Sequence, residues 1–220
     1  MESRRAGRSE RQLPRGRHGL SREDIAASQR GRLVAAILDV VAVKGYPATT
    51  VNDVVVRAEV SRRTFYEHFD GKEACFLAAF EAAVLDVGVS LRSALDPVAR
   101  DDWQGRIRLS WRAFLAALAE HPAAAWSLYI ETLCAGPALV ERTTAVNRGF
   151  ADIFRALHRR ARAADPRVRE VASEVFDLYV GGTAERIRDC LHTAGAAALP
   201  RLEDVFTDTL MVFFEPRPTP

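Results

Sequence analysis

Apolar and polar positions recur with a helical period along most of this chain, and the clearest stretch runs from Thr50 to Phe69 (TVNDVVVRAEVSRRTFYEHF). Val51, Val54, Val55 and Ala58 fall at i, i+3, i+4 and i+7, which lays an apolar stripe along one face of a helix. Three consecutive valines at 54–56 favour a strand by propensity. A strand would put Asp53 on the same face as Val51 and Val55, so helix is the better reading. Thr50 followed three residues later by Asp53 is a helix-start signature. Ala58, Glu59 and Val60 make a short break, and Ser61 is a good N-cap for a second short helix. Phe65 and Phe69 share one side of that helix, with Arg63, Thr64 and Glu67 away from it. Two short helices joined by a tight turn, the second opening on Arg and Thr, fit a helix-turn-helix.

The rest of the chain repeats the helical period. A first helix, starting near Arg22 behind the Ser21-x-x-Asp24 signature, reaches Lys44 with Leu33, Ile37, Val40 and Val41 buried, and Gly45 stops it. After Gly71-Lys72-Glu73 a fourth helix carries Phe76, Leu77, Phe80, Val84, Val87 and Leu91 until Asp96-Pro97. A fifth starts at Asp101 or Asp102 and presents Ile107, Trp111, Phe114, Leu115 and Leu118. A sixth spans Ala123 to Cys134, and a seventh follows Gly136-Pro137 with Val146, Phe150, Ile153, Phe154 and Leu157. Asp165-Pro166 opens an eighth, carrying Val168, Val171, Val175, Phe176, Tyr179, Ile187 and Leu191. A ninth follows the Gly195/Pro200 break with Leu202, Val205, Phe206, Leu210 and Phe213. No strand pattern, repeat or coiled coil is visible, so the fold class is all-α. Residues 1–20, rich in Arg, Gly and Ser, read as a flexible tail: a solvated leader, or a basic arm that follows phosphates or enters a minor groove.

Composition narrows the function classes. The 220 residues suffice for one or two domains with a sizeable core, and 48% apolar content is that of an ordinary globular protein. Cys75, Cys134 and Cys190 are scattered, with no zinc or disulfide pattern. The basic N-terminus has no apolar segment behind it, and no 18-residue apolar run is expected, Leu33 to Val43 being short and broken by Asp39. A cytoplasmic protein without membrane partners follows. Residues 1–80 hold 14 basic against 10 acidic side chains, and the remainder 17 against 19, so the positive end is the helix-turn-helix end. P-loop, GxSxG, HExxH and GxGxxG motifs are absent. The histidines at 18, 68, 121, 158 and 192 show no metal-ligand spacing, and His158 and His192 are expected on helix surfaces. No catalytic residue, metal or cofactor is expected, and the chain is not read as an enzyme.

Gly45-Tyr46, Thr49-Thr50, Val60-Ser61, the run Thr-Phe-Tyr-x-His-Phe at 64–69 and Lys72 stand in an order and spacing that resemble the DNA-binding end of the TetR family of transcriptional regulators, over roughly residues 28–80. One departure is Glu59, where the family has Gly in a turn with φ > 0. Keeping that geometry with a side chain costs about 1 kcal/mol or more, so the turn is expected to differ slightly.

The resemblance implies an N-terminal three-helix helix-turn-helix domain (21–71) behind the basic arm, plus a C-terminal helical ligand-binding and dimerisation domain (72–216). It implies a sequence-specific regulator, a repressor released from a pseudo-palindromic operator in double-stranded DNA by a small-molecule effector, and a homodimer through the eighth and ninth helices. Thr50, Asn52, Ser61, Thr64, Tyr66, His68 and Lys72 match positions the family uses mostly for phosphate contact; each can donate to a phosphate oxygen. Arg62 and Arg63, in the first turn of the recognition helix, are suited to guanine edges. Trp111, Phe114, Trp126, Tyr129, Phe150, Phe154, Phe176 and Tyr179 are candidate ligand-binding residues, though a plain packed core explains any single ring. A helical protein-interaction module without DNA binding is the alternative, and it leaves the Thr-Phe-Tyr-x-His-Phe run unexplained; a small-molecule enzyme ranks below it.

Overall fold

The computed structural model describes residues 22–97 and 102–216, with side chains from residue 27 onward. The helices are α1 (Arg22–Lys44), α2 (Val51–Ala58), α3 (Arg62–His68), α4 (Lys72–Leu95), α5 (Trp103–Glu120), α6 (Pro122–Tyr129), α7 (Pro137–Ala164), α8 (Val175–Thr193) and α9 (Glu203–Met211). Among the described residues the all-α expectation holds; the one β feature is an isolated bridge between Val168 and Pro216. The basic arm, residues 1–20, and its capping Ser21 lie outside the described residues.

The stripes read from the sequence converge on a first core. Leu33, Ile37 and Val41 of α1 meet Val54 and Val55 of α2, Phe65 of α3, and Phe76 and Phe80 of α4. Burying each such side chain stabilises the fold by about 1.5–3 kcal/mol. Gly45, at φ 78°, ends α1 and turns the chain so that Tyr46 lies on Phe76, ring centres 5.1 Å apart. Cys75 is fully buried here, and desolvation pushes its thiol up to about 12, so it is chemically quiet. Ala135 and Leu139, from beyond α6, close the same core. The helix-turn-helix is therefore packed against the C-terminal part of the chain as well as against itself.

Two further cores fill the C-terminal part. Leu115, Leu118, Ala125, Ile187, Leu191, Leu199 and Phe206 form one, and Ile107, Ala151, Phe176, Tyr179, Leu210 and Phe214 the other. Here the helical pattern overreaches in several places. The sixth helix ends at Tyr129 and tightens into a 3-10 turn over Glu131–Cys134. The eighth begins at Val175 rather than at Pro166. The Asp165 carboxylate instead takes the Arg167 N–H at 3.0 Å, Val168 bridges Pro216, and His158 Nε2 lies 3.1 Å from the carbonyls of both Arg169 and Phe213. Those tertiary bonds hold 165–174 out of a helix, and they place His158 in the interior between Phe176 and Phe214 rather than on a surface. His192 is exposed, as expected. Ile153 and Val205, both part of the helical apolar pattern, are exposed.

The expectation of no long apolar run is also corrected. α4 is long and apolar enough, by length and composition, to cross a membrane. Its first half is consumed by the first core, through Cys75, Phe76, Ala79 and Phe80, while Leu85 and Val89 in its second half are exposed.

The turn between α2 and α3 keeps its left-handed geometry without glycine: Glu59 sits at φ 55°, ψ 45°, and its N–H reaches the Val55 and Val56 carbonyls. The conformation is imposed by the two flanking helices, and the strain stays in the turn. Glu59→Gly removes the Cβ penalty at the cost of some unfolded-chain entropy, and is expected to stabilise the protein by about 0.5–1 kcal/mol. A rise of a few degrees in thermal midpoint is the measurable result; an unchanged or lower midpoint would mean the turn is not strained.

Candidate nucleic-acid interface

Both helix starts of the helix-turn-helix are capped by the side chains that the sequence offers. Thr50 closes a reciprocal box with Asp53: the Asp53 N–H donates to Thr50 Oγ1 at 3.2 Å, and the Thr50 N–H donates to the Asp53 carboxylate at 2.9 Å. Ser61 Oγ accepts from the Thr64 N–H at 3.0 Å. These caps satisfy some of the orphan amides of the first turns and leave the positive ends of both helix dipoles at the surface. α3 is held from beneath by Phe65 and Phe69, ring centres 5.8 Å apart, and Arg30 lies 5.3 Å over the Phe69 ring.

What remains outside is polar. Arg62 is exposed, and Arg63 is 89% exposed with one ion pair, to Glu67 at 3.0 Å on the next turn. Such an exposed pair is weak and easily exchanged for another partner. Tyr66 is 51% exposed, with its ring edge-on to Phe65 at 5.4 Å. Thr64 is half-buried and shares a 2.9 Å bond with Ser61; His68 is half-buried beside Phe69. Lys72 opens α4, donates to the Tyr46 carbonyl at 2.8 Å and lies 4.2 Å over the Tyr46 ring. The same carbonyl takes the Thr49 N–H at 3.2 Å, so Lys72 is drawn to the turn that delivers Thr50. Asn52 is exposed and lines a shallow cleft of about 610 Å³ with Asp39, Val43, Lys44, Val56 and Arg57.

Electrostatics around α2 are set by two ion pairs, Lys44–Asp53 at 2.7 Å and Arg57–Asp39 at 2.5 Å. Bonds from Lys44 and from the Thr50 hydroxyl and N–H draw the Asp53 carboxyl down to about 2.

The eight ring residues separate. Trp111 is a hub, with ring centres at 4.9 Å from Phe206, 5.8 Å from Phe114, 6.1 Å from Tyr179 and 6.3 Å from Phe154. Phe114 continues to Phe150 at 6.0 Å, and Trp126 and Tyr129 pack alongside. Phe176 is buried on the far side against His158 and Phe213. None of the eight lines either of two surface clefts, the second of which, about 560 Å³, lies between Trp103, Arg108 and Phe214. One residue outside both predicted sets of site residues stands out. Glu131 Oε2 accepts the Tyr46 N–H at 2.7 Å across 85 residues of chain, and its Oε1 accepts the Trp126 indole N–H at 3.2 Å. Among the described residues no group of His, Cys, Asp and Glu could hold a metal ion.

Capped short helices, an outward polar face on the second and an all-helical body define a helix-turn-helix within an all-α fold. Residues 33–79 match the family described as bacterial regulatory proteins, tetR family. The chain is similar to the HTH-type transcriptional activator FasR of Mycolicibacterium smegmatis, 30% identical over 103 residues. That match covers 47% of this chain and 46% of the relative, about half the length of each. Two solved regulators share the fold nearly end to end. The fatty acid degradation regulator FadR from Bacillus halodurans has a TM-score of 0.74 at 17% identity, covering 86% of this chain and 97% of that one. FadR from Bacillus subtilis, in complex with stearoyl-CoA, has 0.71 at 16%, covering 84% and 99%. A TetR transcriptional regulator from Chloroflexus aurantiacus follows at 0.65 and 23% identity, covering 85% and 96%.

The low value for Asp53 has a direct test. A carboxyl depressed by folding stabilises the native state above its unfolded pKa, about 3.9, and that contribution is lost as pH falls through about 2. A carboxyl-carbon NMR titration is expected to give a midpoint near 2 for Asp53. Lys44→Met should raise it toward about 3.9. An ordinary midpoint in the unsubstituted protein would show that the pair does not form in solution.

Proposed function

We propose that this chain is a cytoplasmic, homodimeric regulator of transcription that binds double-stranded DNA sequence-specifically and changes its DNA affinity on binding a small molecule. The observation that carries the reading is α3 itself: an apolar side locked by Phe65 and Phe69, and an outer side where Arg62 and Arg63 make no more than one weak surface pair and Tyr66, edge-on to Phe65, keeps half its surface open. Arg62 and Arg63 are assigned to base edges, where a guanidinium can address guanine O6 and N7 together. Thr50, Ser61, Thr64, Tyr66, His68 and Lys72 are assigned to phosphates, supported by the free dipole ends beside the first two. Asn52 is assigned there as well, from the surface of α2. No catalytic step is assigned to any residue.

The effector chamber is placed between α5, α7 and the second half of α4. α5 packs closely on α4 and α9, and α7 packs closely on α8, while large rings span from α5 to α7. Trp111, Phe114, Tyr129, Phe150 and Phe154 all keep part of their surface open. Tyr129 packs beside Trp111 and Phe114, and burial pushes its phenol well above the usual range. An apolar wall with few polar groups suits a long hydrocarbon chain. A fatty acyl thioester, the kind of molecule bound by the similar Bacillus subtilis protein, is the proposed class.

Dimerisation is proposed through α8 and α9. Leu178 is 75% exposed on α8, and Val205 and Val212 are exposed at and just beyond α9. Gly181 and Gly182 cost the helix about 1 kcal/mol each, yet an added Cβ at either would meet nothing within 4 Å in the single chain. Close approach of a second copy gives those glycines a purpose.

Salt-titrated binding to operator and random duplexes tests the DNA assignments. Arg63→Ala is expected to weaken operator binding by about 1–3 kcal/mol and to relax base preference. Lys72→Ala should weaken all duplexes alike and flatten the salt dependence. Intact affinity and discrimination in Arg63→Ala would remove base readout from that residue.

A further inference from the structure

We infer that Glu131 is the positioning residue that transmits effector occupancy to the DNA-binding turn, through its two-sided clasp on Tyr46 and Trp126. The inference rests on the effector chamber proposed above for its upstream end, and on observed bonds for the rest.

α6 is only eight residues long, yet it touches three parts of the molecule. It packs closely on α1 and α8, and Ser127 Oγ donates to the Leu38 carbonyl of α1 at 3.1 Å. Trp126 lies edge-on to His192 of α8 at 4.9 Å. Tyr129, in the last position of α6, packs against the second core together with Trp111 and Phe114. Glu131 follows two residues later, where the helix tightens into its 3-10 turn.

The Glu131 carboxylate joins these parts to the helix-turn-helix. One oxygen takes the Trp126 indole N–H at 3.2 Å, so the carboxylate moves with α6. The other takes the Tyr46 N–H at 2.7 Å, in the turn that enters α2. Gly45 beside this bond is required by its φ of 78° rather than by the carboxylate, since a Cβ there would stand in ordinary contact, 3.7 and 3.9 Å, with the two Glu131 oxygens. On the other side of the same peptide segment, the Tyr46 carbonyl holds Lys72, the first residue of α4 and a proposed phosphate contact. A continuous hydrogen-bonded path thus runs Trp126, Glu131, Tyr46, Lys72, with Thr49 on the Tyr46 carbonyl as a branch. Both donors on Glu131 are N–H groups, so a carboxylate with two accepting oxygens satisfies both, whereas glutamine offers only one oxygen. A ligand that displaces Tyr129 shifts α6 and with it the anchor of Tyr46, which changes the relation of Lys72 and Thr50 to a bound duplex.

The test separates coupling from stability. In the full-length protein, operator affinity is measured without and with saturating stearoyl-CoA, and stearoyl-CoA binding is measured separately by calorimetry. The unsubstituted protein is expected to show an affinity ratio between the two conditions of about 5–150. In Glu131→Ala the ratio should fall to within about twofold of unity, although operator and stearoyl-CoA each still bind, with Glu131→Gln intermediate. Ser127→Ala, which removes a bond at the α1–α6 contact without touching the clasp, should keep the ratio. A ratio retained in Glu131→Ala overturns the inference. Failure of stearoyl-CoA to bind at all would sink the acyl-thioester reading instead. The clasp is then read by amide hydrogen exchange, where Glu131→Ala must speed exchange of the Tyr46 amide at least about tenfold, and unchanged protection overturns it.

Discussion

The rest of the molecule depends on α4 running unbroken from the DNA-binding core into the C-terminal part. Its 24 residues make a rod of about 36 Å. Phe76 and Phe80 fix one end among α1, α2 and α3, and the second half lies against α5. A continuous helix cannot absorb a change at one end without moving the other or breaking its own hydrogen bonds. The two parts are therefore mechanically joined at α4, and joined again by Ala135 and Leu139 entering the first core and by Glu131 clasping Tyr46. Two separated attachments define an orientation, which one flexible linker would not.

Within that frame the two functional regions are built from opposite materials. The helix-turn-helix end keeps a small core and places its polar residues on helix caps and on a solvent-facing row of arginine and tyrosine. The C-terminal part has a looser aromatic interior, in which Trp111 touches four other rings while staying partly open. The small core suits the proposed duplex-matching surface, and the rings that link α5 to α7 suit the proposed site for an apolar chain. Tyr179 marks where the two C-terminal cores join, its hydroxyl donating to the Phe206 carbonyl at 2.7 Å.

Local order was legible in the sequence wherever local chemistry decides it. The Thr50–Asp53 box, the Ser61 cap, the Gly45 stop and the core faces of α1 and α3 all rest on interactions within a few residues, and all appear as read. The left-handed turn at Glu59 was legible from the family pattern and obscured by its residue, because the flanking helices outweigh one strained Cβ. What could not be read depends on distant partners. Residues 165–174 carry helical apolar spacing but are held by Pro216 and His158. Ile153 and Val205 keep the helical period yet face outward, since period gives a face and not what covers it. Glu131 is one more glutamate on a short helix until Tyr46, 85 residues away, arrives beside it. The ring residues were legible as a group, and only their separation, with Trp111 as hub and Phe176 apart, required coordinates.

A dimer whose effector resets the spacing of two recognition helices is the central claim, and a spin-label distance measures it most directly. With the exposed Cys134 replaced by serine, a nitroxide at Asp70→Cys, just past α3, reports the separation between protomers. On operator DNA the account predicts one narrow distance distribution, compatible with recognition helices about 34–36 Å apart in successive major grooves. Adding stearoyl-CoA to the free dimer should give a distinct distribution. No dipolar coupling at all, or one distribution unchanged by both operator and ligand, would contradict it.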